Sequence, residues 1–217
     1  NKVKKIRPDL IALAVEKRLY QMPVPVIGLT GGIATGKSTV SKILLKEGLS
    51  IIDADQLVKG VYQQDEVIKE IKTAHPECIV DQKIDFKILR NAFFNNSELQ
   101  ATIESIIYKR MPQAFKEAFQ RQDSKNQDFI IYDVPLLFEK KLAPLVDLKV
   151  CVWSSPEQQV KRLMARDGIS EDLSLKILTR QWDINKKRDH SDLVILNDSS
   201  LDQLEKNVQQ FISNLLL

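Results

Sequence analysis

A glycine-rich loop between an apolar run and a helical pattern is the feature that most constrains this chain. The run VIGLT at residues 26–30 leads into GGIATGKS at residues 31–38, which matches the pattern G-x-x-x-x-G-K-[ST]. Glycines allow consecutive backbone N–H groups to turn inward around an anion, and the following helix adds its own unpaired N-terminal donors. The loop therefore predicts a phosphate site at the junction of a strand and a helix.

The polar residues of this loop have predicted roles. Lys37 would reach the β- and γ-phosphates of a nucleoside triphosphate, and the Ser38 hydroxyl would hold Mg²⁺. The backbone of the whole segment would contact the nucleotide. The predicted nucleotide-binding residues of the loop are Gly31, Gly32, Ile33, Ala34, Thr35, Gly36, Lys37, Ser38 and Thr39.

Strand and helix patterns alternate along the chain, which requires crossover connections and therefore a parallel sheet. The predicted fold class is α/β, a P-loop NTPase core with a five-stranded parallel sheet flanked by helices. Short apolar runs mark the predicted strands, over residues 24–29, 49–52, 129–132, 148–153 and 192–196.

Helical patterns occupy the remaining segments. Pro112 is expected to break a long helical region, and Pro156 to begin the helix after the fourth strand. The long region is a candidate substrate-side insertion, assigned to residues 75–125. Helices are predicted over 36–45, 56–72, 85–122, 157–188 (as two helices separated near Gly168) and 201–217.

Carboxylates follow two of the predicted strands. Asp53 and Asp55 end the second strand and Asp133 ends the third, at the sheet edge where open α/β folds bind ligands. One of the first pair could accept or orient the proton of an attacking hydroxyl, while the other organises metal-bound water. Asp133 suits a Mg²⁺ role through water. The alternative for the pair is structural, with Asp55 capping the next helix.

Basic residues cluster on the helices before the fifth strand. In a phosphoryl-transfer enzyme such residues can form a lid, here residues 156–190, that neutralises charge and excludes water. The lid role is assigned chiefly to Arg162 and Arg166, because most helix-surface lysines and arginines are only solvated. The cluster comprises Lys161, Arg162, Arg166, Arg180, Lys186, Lys187 and Arg188.

Composition argues against several kinds of partner. The 217 residues include 32 basic and 29 acidic ones, a net charge of +3, so no bulk field favours nucleic acid or an anionic membrane. No apolar window approaches the roughly 20 residues that cross a bilayer. Cys78 and Cys151 lie far apart in sequence, so we expect reduced thiols in a cytoplasmic protein with neither nucleic acid nor membrane as partner.

Residues 1–23 precede the predicted P-loop domain, 24–217, as an extension. Pro8 can occupy the first turn of a helix, and the apolar residues that follow have helical spacing. The extension is therefore predicted to be a short amphipathic helix that packs on its own domain or on a symmetry mate. The predicted helical face consists of Ile6, Leu10, Leu13, Ala14 and Lys17.

Several separated motifs occur in an order typical of one family. After the loop come IIDAD at residues 51–55, DVPLLFE at 133–139 and QQVKRLMARDG at 158–168, followed by Gln181, Lys187, Asp192 and Asn197. In these motifs the chain resembles dephospho-coenzyme A kinase from about residue 24 to residue 217.

The resemblance implies a reaction, its cofactors and its residues. ATP, with Mg²⁺, would donate its γ-phosphoryl group to the ribose 3′-hydroxyl of dephospho-CoA, the last step of coenzyme A synthesis. The fold would be a P-loop kinase core with a helical CoA-side subdomain and a lid, in a monomer or weak homo-oligomer. By resemblance, the catalytic residues are Asp55, Lys37, Arg162 and Arg166, the metal residues are Ser38, Asp53 and Asp133, and Asn197 lies in the loop that passes the adenine.

Three departures from the family pattern stand in functional regions. Ala34 replaces a usual glycine, which is expected to be a conservative change in a loop that binds through its backbone. Phe86 replaces a usual arginine, and Tyr108 with Lys109 replaces His-Pro. Two alternatives therefore stay open: another P-loop kinase for a nucleoside, nucleotide or sugar, and a nucleotide-binding switch or ATPase with a macromolecular partner.

Overall fold

The computed structural model of the protein describes residues 2–122 and 126–217. The chain divides into two compact units, Asn1–Ile52 with Gln122–Leu217, and Asp53–Arg121. The first unit contains the glycine-rich loop and has a core of buried apolar side chains from its strands and helices. The second unit is mainly helical and buries its own apolar residues, among them Val67, Ile103 and Phe115.

The predicted five-stranded parallel sheet is confirmed. The strands are β1 (Val26–Gly31), β2 (Ile51–Asp53), β3 (Ile79–Val80), β4 (Lys83–Ile84), β5 (Ile130–Asp133), β6 (Leu148–Trp153) and β7 (Leu193–Leu196). Five of them form the sheet in the order β2-β5-β1-β6-β7, and β3 and β4 form a separate antiparallel hairpin. The strand that enters the glycine-rich loop therefore lies in the middle of the sheet.

Strand register brings the ends of three strands to one edge of the sheet. β1 pairs in parallel with β5, where Leu29 lies opposite Asp133, and with β6, where Gly31 lies opposite Val152. All six residues of β1 are buried, as expected for a central strand of a parallel sheet with both faces covered. The glycine-rich loop and Asp133 therefore lie at the carboxyl edge, where ligands bind in open α/β sheets.

Helices fill the connections between the strands. In the described residues they are α1 (Lys37–Lys46), α2 (Ala54–Tyr62), α3 (Asp65–Ala74), α4 (Phe86–Asn95), α5 (Ser97–Tyr108), α6 (Met111–Arg121), α7 (Pro156–Asp167), α8 (Glu171–Leu178), α9 (Ile184–Asp189) and α10 (Leu201–Leu215). α1 and α10 pack against the sheet through Leu44, Val208 and Phe211, which join the core of the first unit.

The predicted lid region holds three helices rather than two. α7 begins at Pro156 as predicted and ends at Gly168, which has a left-handed φ of 64°. α9 is the additional helix, and it forms because the Asp183 side chain accepts from the N–H groups of Asn185 and Lys186. The sequence predicted one helix where the structure has α8 and α9, because each of these two helices is short.

The second unit is larger than the predicted insertion. It begins at residue 53 rather than 75, and the last predicted positions, 123–125, lie outside the described residues. The single helix predicted over 56–72 is two helices, α2 and α3, which meet at Gln63 and Gln64. Pro112 stands at the second position of α6, so the predicted break in the long helical region is confirmed.

The amphipathic helix predicted for the extension is wrong. The segment forms three single 3₁₀ turns, at Pro8–Leu10, Val15–Lys17 and Leu19–Gln21, separated by extended residues. Its early part adds bridges to the rest of the first unit, where Lys4 pairs with Gln127 and Ile6 pairs with Leu216.

A buried ion pair explains why the extension is not helical. Arg18 is 5% exposed and holds Asp147 through two hydrogen bonds of 2.7 and 3.1 Å, and it also donates to the carbonyls of Leu13 and Met22. Asp147 accepts in addition from the backbone N–H groups of Leu13 and Val26. A helix over the segment would not bring these backbone groups to the carboxylate, so the tertiary contact overrides the helical spacing.

Candidate active site

The glycine-rich loop closes on itself through Thr35. The Thr35 hydroxyl donates to the Gly32 carbonyl at 2.9 Å, and the Gly32 N–H donates back to the same hydroxyl at 3.2 Å. Gly36 precedes α1 with a φ of 88°, in the region where a Cβ is strained. The loop thus curls around the N-terminus of α1, whose unpaired N–H groups and dipole favour an anion.

Ala34 also has a left-handed backbone, with a φ of 62°. A glycine adopts this conformation at lower cost than alanine, which is a physical reason to expect glycine at this position of the pattern. The expectation that alanine is a conservative change here therefore needs correction, because the backbone conformation itself penalises the methyl group.

Side chains from α7 and the end of β7 support the loop from outside. The Arg162 guanidinium donates to the Ala34 carbonyl at 3.2 Å and to the Asn197 carbonyl at 2.8 Å, and the Asn197 amide donates to the Thr35 carbonyl at 2.8 Å. Gln159 donates to the Ile33 carbonyl at 2.9 Å. Arg162, predicted as a lid residue, is half-buried against the loop backbone, and Asn197, predicted to lie in the loop that passes the adenine, contacts the phosphate loop.

Lys37 and Asp133 form an ion pair at the carboxyl edge of the sheet. The Lys37 ammonium contacts one oxygen of Asp133, and the Ser41 hydroxyl donates to the other at 2.8 Å. Asp133 is 4% exposed. Both of its partners come from α1, where the side chains of Lys37 and Ser41 lie one helical turn apart. Ser38 is exposed at the second position of α1, next to Lys37.

Lys187 is a buried cation, which the sequence placed in the basic cluster and among the residues of the family pattern without giving it a role. Its side chain is 0% exposed, and its ammonium donates to the carbonyls of Gly31 and Pro135, each at 2.9 Å, and pairs with Glu139 at 3.0 Å. Burial lowers the pKa of this ammonium, and the Glu139 carboxylate opposes that shift. Nothing in the local spacing of charges distinguishes Lys187 from its solvated neighbours.

A cleft of 280 Å³ opens beside the loop. The exposed side chain of Arg166 lines this cleft, and its Nε–H donates to the Asp167 carboxylate at 2.8 Å. This contact lowers the pKa of Asp167 and raises that of Arg166. Within the described residues, the buried Oε1 atom of Gln181 has no hydrogen-bond partner. The cleft is lined by Gly31, Gly32, Ile33, Lys37, Pro135, Leu163, Arg166, Asp167, Ile177 and Gln181.

A second cleft, of 390 Å³, is also lined by residues of the loop. It combines apolar side chains with the loop backbone, which suits a flat heterocycle attached to a phosphate chain. Its lining residues are Ala34, Gly36, Thr39, Arg162, Arg166, Asn197, Leu201 and Leu204.

Asp53 and Asp55 belong to the second unit and stand at the start of α2. Asp53 is the N-cap of that helix, since its side chain accepts from the Gln56 N–H at 3.1 Å. Asp55, for which capping was the structural alternative, instead occupies the first turn, where a carboxylate is favoured by the helix dipole. The capping interpretation therefore applies to Asp53.

The oxygen donors near the loop suit Mg²⁺ carried by a nucleotide. Between residues 2–122 and 126–217 there is no group of three or more His, Cys, Asp or Glu side chains that could hold a metal. Mg²⁺ is usually bound by one or two protein oxygens together with phosphates and waters. Ser38 and Asp133 could supply those protein oxygens.

The same described residues include no helix long and apolar enough to span a membrane.

Comparison with known proteins agrees with the geometry. The family model of dephospho-CoA kinase matches residues 25–203. A dephospho-CoA kinase from Fusobacterium nucleatum is 37% identical over 192 residues, covering 88% of this chain and 98% of that protein, and one from Listeria monocytogenes is 35% identical over 189 residues, covering 86% and 94%.

Solved structures show the same similarity. A crystal structure of a Thermus thermophilus protein has a TM-score of 0.76 at 28% identity, over 88% of this chain and 97% of that one. Dephospho-CoA kinase from Campylobacter jejuni has a TM-score of 0.64 at 26% identity, over 87% and 95%. The chain, an ATP-dependent kinase by these criteria, belongs to the dephospho-CoA kinase family.

Proposed function

We propose that this protein transfers the γ-phosphoryl group of ATP to the ribose 3′-hydroxyl of dephospho-CoA, giving CoA and ADP. The observation that carries the proposal is the Lys37–Asp133 pair under a curled P-loop in a chain that matches the dephospho-CoA kinase family along most of its length. Another small-molecule kinase would share the P-loop, but the family match distinguishes this acceptor from a nucleoside or a sugar.

On the nucleotide side, the loop residues Gly31 to Thr39 would bind the phosphates through their backbone N–H groups. Lys37 would exchange its contact with Asp133 for the β- and γ-phosphates when ATP binds, since the two phosphates together carry more negative charge than one carboxylate. The adenine would lie in the cleft that Asn197 borders.

Ser38 and Asp133 would hold Mg²⁺ as part of the nucleotide complex. The ion, when bound, would neutralise charge on the β- and γ-phosphates. Asp133 would be released by Lys37 for this purpose and would still be oriented by the Ser41 hydroxyl. Asp53, predicted near the metal, would contribute only if it gave up part of its capping role at α2.

In the transfer step, Asp55 would accept the proton of the ribose 3′-hydroxyl as the new O–P bond forms. The bond between the γ-phosphorus and the β–γ bridging oxygen breaks, and ADP leaves. Arg166 is exposed on the cleft and would stabilise charge on the transferring group, while Arg162 would act by holding the loop backbone.

The second unit would bind the CoA portion of the acceptor. Phe86, which replaces the family's arginine, packs edge-to-face on Tyr62 with ring centroids 5.2 Å apart, and Lys109 pairs with Glu70 at 3.4 Å. Phe86 carries no charge and Lys109 is paired with Glu70, so neither replaces the positive charge of the family's arginine. The acceptor's phosphates would instead bind exposed basic residues of the same region, such as Lys83, Lys87 and Arg90.

The direct test is ADP release from ATP and Mg²⁺ with dephospho-CoA as acceptor. AMP, adenosine and a reaction without acceptor serve as controls, and the product mass must increase by one phosphoryl group. Turnover only with dephospho-CoA would establish the acceptor. Turnover only with another acceptor would overturn the proposed substrate while keeping the kinase assignment.

Two variants test the proposed roles. Lys37→Ala should lower kcat about a thousandfold, a barrier increase of about 4 kcal/mol, because phosphoryl transfer depends on charge stabilisation. Asp55→Asn should lower kcat while ATP affinity persists. A collapse of ATP affinity in Asp55→Asn would make that residue part of the nucleotide site rather than the base.

A cytoplasmic monomer or weak homo-oligomer is the proposed state of the protein. Cys78 and Cys151 are both buried and unpaired as thiols, which is compatible with a reducing compartment. Sedimentation of the purified protein over a range of concentrations would test the assembly state.

A further inference from the structure

The Lys187 ammonium is fully enclosed and uses all three of its donors. It bonds the Gly31 carbonyl, the Pro135 carbonyl and the Glu139 carboxylate at 2.9, 2.9 and 3.0 Å. Complete burial separates this ammonium from any bound substrate, so Lys187 cannot be a catalytic residue. The question is why a charge is kept at a place where burial is costly.

The two carbonyls belong to the segments that carry the nucleotide-site side chains. Gly31 ends β1 and begins the loop that leads to Lys37, and Pro135 follows Asp133 by two residues. Thr30 adds a second link between the same segments, because its buried hydroxyl donates to the Pro135 carbonyl at 3.0 Å. One ammonium therefore joins the start of the phosphate loop to the backbone just beyond Asp133.

Lys187 also connects the lid region to this junction. Lys187 lies on α9. Trp182, two residues before the start of that helix, donates its backbone N–H to the Glu139 carboxylate at 3.1 Å and stacks on Phe138 with ring centroids 5.2 Å apart. The last helix of the lid region, α9, is thereby tied both to the end of β1 and to the segment that follows β5.

We propose that Lys187 is a positioning residue for phosphoryl transfer, which fixes the spacing between the Lys37 loop and the Asp133 segment by tying their backbones together. The inference rests on the proposed function, because it concerns how Lys37 and Asp133 are held for that reaction. Loss of Lys187 should therefore lower kcat, since a displacement of about 1 Å in reacting groups such as Lys37 or Asp133 can lower the rate about a hundredfold.

Stability alone would not require a lysine here. Replacement of a buried ion pair by apolar residues of similar volume is often neutral or stabilising, so packing gives no reason to keep the Lys187–Glu139 pair. A cation is, however, able to hold two carbonyls and one carboxylate at the same time, which no apolar side chain can do.

The main test compares Lys187→Met/Glu139→Gln with the wild type and with Glu139→Gln alone. The paired change avoids leaving the Glu139 charge buried without a partner. We expect the double variant to lower kcat about a hundredfold while its Kd for ATP changes less than about fivefold, and Glu139→Gln alone to stay within about fivefold in kcat. Lys176→Met, an exposed lysine on α8, is the matched control and should leave both constants unchanged.

Folding is monitored so that the variants report on positioning. The rates are measured at a temperature at which circular dichroism shows each variant folded, and kcat is expressed per folded protein. A double variant that keeps wild-type kcat would overturn the proposal. So would one that loses kcat and ATP affinity in the same proportion, since that pattern indicates general damage to the loop.

Thr30→Val decides the matter if the double variant does not fold. Valine is nearly isosteric with threonine and suits a strand, and the change removes only the hydroxyl link to the Pro135 carbonyl. The proposal expects kcat to fall at least threefold at unchanged Kd for ATP. Wild-type kcat in Thr30→Val would then overturn it.

The two proposals fail in different ways. A wild-type protein that does not phosphorylate dephospho-CoA removes the proposed acceptor, and the same variants are then compared by their ATP hydrolysis without acceptor. A wild type that makes CoA while the Lys187 and Thr30 variants keep its kcat removes only the positioning role.

Discussion

Two single-methyl changes in the phosphate loop should shift stability in opposite directions. Ala34 and Gly36 are two residues apart, and both have a left-handed backbone, with φ of 62° and 88°. Ala34→Gly removes a Cβ from such a backbone, and Gly36→Ala adds one. The loop geometry therefore predicts a gain for the first change and a loss for the second.

The magnitudes follow from the backbone and from Asn197. An L-residue in the left-handed region costs about 1–2 kcal/mol, and the greater freedom of glycine in the unfolded chain offsets about 0.4–1 kcal/mol of the gain. Ala34→Gly should therefore stabilise by about 0.5–1 kcal/mol. In Gly36→Ala the new Cβ would collide with the Asn197 amide, so the bond to the Thr35 carbonyl is lost as well, for a total near 3 kcal/mol.

Thermal unfolding followed by tryptophan fluorescence is the assay, since Trp153 and Trp182 both lie in the unit that contains the loop. For a chain of this size 1 kcal/mol corresponds to a shift in Tm of about 2–4 °C. Gly60→Ala is the control for the glycine-to-alanine change itself: outside the backbone of its own helix, nothing lies within 4 Å of the place that a Cβ would take, so no loss is expected. Equal signs for the two loop variants would refute the argument from φ.

Three further predictions concern other parts of the molecule. Arg18→Met should lower the free energy of unfolding by about 3 kcal/mol in urea titrations, because it leaves the Asp147 carboxylate buried without its cation; Arg18→Met/Asp147→Asn should recover part of that loss. Cys78 and Cys151 should not react with a thiol reagent until the protein unfolds, because burial raises the pKa of both thiols, that of Cys151 to about 12. Ser41→Ala should cost about 1 kcal/mol, measured in the same titrations, through the lost hydrogen bond to Asp133.

The strands and the loop could be predicted because their signals are local. A buried parallel strand is a short apolar run, and the glycines after β1 are set by backbone geometry within the loop itself. Pro112 marked a helix break and Pro156 a helix start for the same kind of reason, since the proline ring fixes its own φ and lacks an N–H.

The extension and Lys187 could not be predicted because their contacts are distant in sequence. Residues 6–17 have helical spacing, yet Arg18 finds Asp147 129 positions away, and that contact decides the backbone. Lys187 looks like any helix-surface lysine until β1 and the segment after β5 bring two carbonyls to it. Periodicity describes one face of one element and contains no information on such partners.

The bridges between the extension and the end of the chain have a consequence for synthesis on the ribosome. Ile6 pairs with Leu216, and the Arg7 N–H donates to the Leu215 carbonyl at 2.9 Å, so these contacts cannot form until residue 216 has left the exit tunnel. The sheet strands that surround the phosphate loop are complete earlier, at residue 196. Residues 6 and 7 thus reach these contacts only after the sheet is complete, and until then the apolar side chain of Ile6 lacks its partner Leu216.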